Sequence, residues 1–246
     1  VSIGNVQPPA QGLAIVDLAR KEWTQTIGLG FDEVVSVNAQ GASLYVTSKV
    51  AAGYSLSGPL CAYFVTRLNP ETGAAGPAAN VPGIFVQYNP TTQVLTLRDD
   101  QWSRPYVAQT VLRTVLWDGA GESVSAIDEL TLPTGASQVL GRGSRLYVDV
   151  YDDGYRLYTA VQSQTGALTL GSGVLTTDQW GFLVDAHSTA AYISIGDGAI
   201  ARYNCAGNTP QLTDLTPVMG APLRLRFGSS HAYAALGYFG AVPLPL

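Results

Sequence analysis

The chain has 246 residues, 46% of them hydrophobic and only 13% charged, with a formal net charge of −5. Its 13 basic residues, of which Lys21 and Lys49 are the two lysines, form no run able to neutralise phosphates, so no nucleic acid and no anionic membrane surface is expected as a partner. No apolar run reaches the roughly 20 residues that span a bilayer, so no membrane insertion is expected either, and two cysteines are too few for a disulfide scaffold.

In chain order, residues 13–18 and 23–29 alternate as a strand pair. Four runs of four strands follow. The first is 34–38, 43–49, 62–68 and 76–81, with Asn69-Pro-Glu-Thr-Gly73 turning between its third and fourth strands. The second is 84–88, 93–98, 107–117 and 122–132, turned by Asp118-Gly119. The third is 137–140, 145–151, 155–162 and 167–175, where Asp153-Gly154 reads as a two-residue hairpin. The fourth is 182–186, 190–196, 199–204 and 211–216. Residues 223–227 and 232–238 supply two strands more, and 241–246 read as a Pro-rich tail. That tail and Gln7-Pro-Pro-Ala suggest linkers, and hence a single domain over 1–246 excised from a larger precursor with flanking domains.

The second strand of each run carries an aromatic or leucine at 45, 95, 147, 192 and 233, in steps of 50, 52, 45 and 41 residues. A repeat of that size in strand-rich sequence marks a β-propeller with one four-stranded blade per repeat. The expectation is therefore an all-β, five-bladed propeller. Its last blade would take its inner strands from 223–238 and its outer strands from 13–29, protecting edges that would otherwise be unpaired.

The segment Leu13-Ala-Ile-Val-Asp17 through Trp23-Thr-Gln-Thr-Ile-Gly28, together with Tyr45-Val46-Thr47-Ser48, resembles the hairpins of bacterial extracellular propellers of the YVTN, WD40-like type. The resemblance implies the fold and a secreted, periplasmic or cell-surface setting. It implies no shared active site.

Candidate ligand residues gather in the loops leading into first strands and in those between second and third strands. Asp32 precedes the first strand of one repeat and Tyr54 lies in a second-to-third loop. The tripeptide Asp-Gln-Trp occurs twice, as Asp100-Gln101-Trp102 and Asp178-Gln179-Trp180. An indole stacks on the C–H face of a sugar while Asp and Gln bond its hydroxyls; the competing reading is that each Trp fills a gap between blades and each Asp closes a turn. Asp185 stands in a predicted innermost strand where the other repeats carry non-acidic residues.

No nucleophile elbow, phosphate-binding Gly loop or His-Glu-x-x-His is present, and no cofactor or metal is expected. Asp149, Asp152 and Asp153 lack calcium-loop spacing. His187 and His231 occupy similar turn positions, which favours a structural role. Cys61 and Cys205 fall in non-adjacent repeats, so no bond between them is expected. The leading functional reading is a binding module for carbohydrate or protein within a larger bacterial adhesin, S-layer or envelope protein. The alternatives are a glycoside hydrolase or lyase with inward carboxylates, and a structural spacer.

Overall fold

The computed structural model describes residues 12–17, 19–28, 33–55, 58–103, 107–177, 180–196, 198–222, 224–236 and 240–246. Every element among them is a β-strand, and every pairing with a described register is antiparallel. The chain forms two compact units, residues 1–99 with 115–126, and residues 100–114 with 127–246.

In the first unit, β1 (Gly12–Asp17) and β2 (Glu22–Gly28) form a two-stranded hairpin. Sheet II is the four-stranded meander of β3 (Glu33–Gln40), β4 (Ser43–Ser55), β5 (Gly58–Leu68) and β6 (Ala75–Val81). The Asn69 turn between β5 and β6 forms as its sequence demands. The Asn69 side-chain oxygen accepts from the amides of Glu71 and Thr72 at 2.8 and 3.2 Å, as an Asx turn requires.

Sheet III joins β7 (Ile84–Asn89), β8 (Val94–Ser103), β9 (Val107–Leu116) and β10 (Ser125–Thr131) in sequence order, and the division into units passes through it. The core of the first unit is aromatic. Tyr45 stacks on Phe85 with centroids 4.6 Å apart, and Trp117 meets Tyr88 edge-on at 5.2 Å. Such pairs add about 0.5–1.5 kcal/mol each beyond area burial. Their polar tips are satisfied: Trp117 Nε1 donates to Gly121 O at 2.9 Å and Tyr88 OH to Trp117 O at 3.1 Å. Gly119, at φ 79°, lies where an added Cβ would come within 2.9 Å of that tyrosine hydroxyl.

In the second unit, sheet IV is built on β11 (Ala136–Arg142), β12 (Arg145–Tyr151) and β13 (Tyr155–Gln162). Its fourth position is divided. β14 (Leu168–Leu170) pairs with one end of β13 and β15 (Val174–Thr177) with the other. The single strand expected over 167–175 breaks here because Ser172 N donates to Asn208 O of the next sheet at 3.0 Å, and a Cβ on Gly171 would lie 2.2 Å from that oxygen. The Asp153-Gly154 turn is a three-residue loop rather than two, since Tyr151 pairs with Tyr155.

Sheet V is the meander β16 (Gly181–His187), β17 (Ala190–Ile195), β18 (Ala199–Asn204) and β19 (Gln211–Pro217). Sheet VI has β20 (Arg224–Phe227), β21 (His231–Ala235) and β22 (Ala241–Pro245).

β22 is a correction to the expected closure. The position beside β21 is filled by residues 241–245, the supposed tail, and not by 13–18, whose described partner is β2. Leu236 N bonds Gly240 O at 2.9 Å and closes a short hairpin. A local return of the chain costs less closure entropy than recruiting a distant segment. Leu225, Ala232, Ala234 and Leu244 pack on Val184, Tyr192 and Ile200 of sheet V, while Arg224, Arg226 and Tyr233 on the other face are exposed. The repeat tyrosines 45, 147 and 192 and Leu95 are buried, but Tyr233 is 49% exposed.

The first strands share a feature that the alternation pattern does not display. β3, β7, β11 and β16 each skip one residue in pairing with their second strands, at Val35, Val86, Ser137 and Val184. A bulge at one place in four repeats is a built bend. Beyond it, β3 and β11 run on for residues 36–40 and 138–142, whereas β7 and β16 run only for 87–89 and 185–187. The inner strands therefore alternate, long and short.

Candidate functional site

The bulges determine where polar side chains cross from sheet to sheet. The second-strand residue opposite each bulge in sheets II and IV accepts a hydrogen bond from the next sheet. Thr47 Oγ1 accepts from Phe85 N at 3.0 Å, and Asp149 Oδ2 accepts from Leu183 N at 3.1 Å. Phe85 and Leu183 each precede their own bulge, where the regular ladder is interrupted. The last residue of each long strand reaches across as well. Gln40 bonds both backbone groups of Tyr88, its Oε1 accepting from Tyr88 N at 2.9 Å. Arg142 Nε donates to Ala186 O at 2.8 Å.

Between sheets IV and V these devices are charged. Arg142 also donates to Gly141 O at 2.8 Å and, through Nη2, to Asp185 Oδ1, making an ion pair whose side chains are 41% and 20% exposed. Asp149 is 3% exposed. Burial pushes its carboxyl up, opposed by the Leu183 amide and a Ser137 hydrogen bond. A buried carboxylate accepting a backbone amide is a structural acceptor here, and Asp152 and Asp153, on the exposed loop, do not share its site.

The expected ligand residues divide as follows. Asp100 Oδ1 accepts from Thr110 Oγ1 at 2.8 Å across β8 and β9, and Gln101 is exposed. Trp180 is 50% exposed at the loop leading into β16, with Phe182 edge-on at 5.2 Å. Asp185 lies toward the opposite end of the same strand, against Arg142, so it and Trp180 do not share a site. Asp32, Asp178 and Gln179 lie outside the described residues, as do the side-chain surroundings of Tyr54 and Trp102.

Both cysteines are free. Cys205 is buried, and desolvation pushes its thiol up to about 12, as for an inert packing residue. His187 stacks on Phe227 of sheet VI at 4.9 Å, and His231 Nδ1 meets Ser230 Oγ at 2.9 Å. The expected turn role for His187 thus takes the form of a ring contact.

One groove went unforeseen. It is lined by residues 142–145, the β11–β12 turn, and 187–189, the β16–β17 turn, and is an open groove of about 500 Å³. It exists because long β11 stands beside short β16. In the first unit the corresponding step is met by a four-residue turn, residues 90–93, whereas β16–β17 turns in two, residues 188–189. The sequence signal was Arg142-Gly-Ser-Arg145, two of the few basic residues placed either side of a two-residue turn.

No family model matches the chain, and no curated protein does. Among solved structures, the complex of KlAtg21 with the coiled coil of AgAtg16 matches with a TM-score of 0.54 at 11% identity, over 85% of this chain and 66% of that one. The Pyrococcus horikoshii acylaminoacyl peptidase matches with a TM-score of 0.43 at 9% identity, over 84% of this chain and 43% of that one. The chain thus spans less than two thirds of either. The first likeness, to a WD40-like propeller, makes the fold propeller-like and says nothing of activity.

Proposed function

We propose that the chain is a binding module that engages a protein partner at the loop end of sheet V, with Trp180 as its anchor. The observation that carries this reading is the half-exposed Trp180, held edge-on by Phe182. An indole fixed by a neighbouring ring presents large apolar area at low entropic cost, and tryptophan is enriched where interfaces concentrate their energy. The similar KlAtg21 structure is of a protein bound to a coiled coil, which supports a protein as the kind of partner.

The same proposal places the module in a secreted, periplasmic or cell-surface setting, as one domain of a longer precursor; the scarcity of lysine and the wealth of glycine support it. It also carries five blades, supported by the five repeats marked at 45, 95, 147, 192 and 233.

The functional test pairs a displayed peptide library with a glycan array. The expected result is saturable peptide binding that Trp180→Ala weakens by at least about tenfold, a loss typical of an interface anchor. Binding to glycans alone replaces the protein partner with a carbohydrate. Silence on both, or binding unchanged by Trp180→Ala, overturns the assignment.

A further inference from the structure

The groove at the turn end of sheets IV and V stands at the other end of the strands from Trp180 and is independent of the reading above. We infer that it is a binding site for a small oxyanion-bearing ligand, carrying a carboxylate or a phosphate.

The argument begins with charge. The chain is acidic overall, yet the groove lining holds Arg142, Arg145 and His187 and no acidic side chain. Asp185 compensates Arg142. Arg145 meets no carboxylate among the described residues; its guanidinium donates only to the carbonyls of Ala206 and Gly207. One cationic charge is therefore left without a counter-charge beside an open volume of about 500 Å³, a size typical of small-molecule sites.

Four carbonyls in or beside the groove are already engaged. Gly141 O and Ala186 O take hydrogen bonds from Arg142. Ser188 O takes one from Tyr147 OH at 2.5 Å, and Thr189 O one from Cys205 N at 2.7 Å. With these oxygens covered, a cation finds little to coordinate it. An anion meets the uncompensated charge of Arg145, whose Nη1 and Nη2 both donate to carbonyls, so charge attraction and not a two-point fork holds it. Ser144, Ser188 and Thr189 add hydroxyls for the remainder of a polar ligand.

The scaffold does not require this charge. The equivalent turn of sheet II, Gln40-Gly-Ala-Ser43, spans its junction with neutral groups. Ser188 holds φ 51°, as the first position of the two-residue β16–β17 turn requires.

Isothermal titration calorimetry of the intact chain at low salt, with inorganic phosphate and with D-glucuronate as separate probes, tests the site. Saturable binding of at least one is expected. Arg145→Gln should weaken it by at least about tenfold, the equivalent of about 1.4 kcal/mol. Arg142→Gln, which copies the neutral Gln40 bridge and is chosen to keep the fold, should weaken it as well. In the unaltered protein, the amide resonances of Gly143, Ser144, Ser188 and Thr189 should shift with the bound probe, which places the site whether or not a variant folds. Binding of phosphate alone assigns a phosphoryl ligand and binding of glucuronate alone a carboxylate. If neither probe saturates, if the shifts fall elsewhere, or if folded variants bind as the parent does, the inference fails.

Discussion

The junction between sheets II and III and the junction between sheets IV and V solve one geometric problem with different chemistry. In each, a residue opposite a bulge accepts the amide that precedes the next bulge, and the last residue of a long strand bridges to the next inner strand. The first junction uses Thr47 and Gln40, the second Asp149 and Arg142. A neutral hydroxyl and amide suffice for the scaffold. Charge at the second junction is surplus to packing, and surplus charge beside an open groove is where a ligand is to be sought.

The comparison is broken most severely at the residue that precedes each bulge. Phe85→Ala removes a ring stacked on Tyr45 and should cost about 3–5 kcal/mol, while Leu183→Ala should cost about 2–5 kcal/mol, both read by denaturant unfolding of the full chain. The next effect is smaller. Arg142→Ala should cost about 1–2 kcal/mol, because the pair is partly screened by solvent while the Ala186 carbonyl loses its donor. The double change Arg142→Gln with Asp185→Gln gives the second junction the residues that stand at these two positions in the first, Gln40 and, just after the β7 bulge, Gln87. It should return stability to within about 0.5 kcal/mol of the parent, a departure from additivity that contacting residues show.

Asp149→Asn sharpens the contrast through pH. The folded carboxyl is raised above its unfolded value, so the folded state binds the proton more tightly. Stability from this group is greatest in acid and falls as pH rises through the window from about 3.9, the unfolded value, to the raised folded one. The Asn variant keeps an acceptor for the Leu183 amide and escapes that loss. It should melt higher than the parent at about pH 7, with the difference closing toward about pH 4. The smallest effect belongs to the turns: Ser188→Gly should gain up to about 1 kcal/mol by relieving its left-handed backbone, whereas Gly143→Ala, at φ 65° in open space, should lose a similar amount.

The period of the strands, the all-β class and most strand positions were legible because buried aromatics such as Tyr45 and Tyr147 recur at fixed places and turn residues such as Asn69 and Asp118 act locally. The bulges were not, because Val35, Val86 and Val184 are ordinary strand formers and a skipped pairing leaves no compositional mark. The groove was hidden for the same reason: it depends on a two-residue difference in length past the bulge. The break at Gly171 depends on Asn208, distant along the chain, and the strand formed by residues 241–245 was hidden because its two prolines read as a linker. Trp180 was legible as an indole in a loop, while its exposure and its separation from Asp185 needed coordinates.

The alternation of long and short inner strands carries a consequence for engineering. A module cut from this chain is interchangeable only with one of the same parity. Sheet II can stand in for sheet IV, and sheet III for sheet V, but a transplant of odd into even would leave the bridging side chain facing no recipient. The structural repeat of sheets II to V is thus a tandem of two sheets and not a single one.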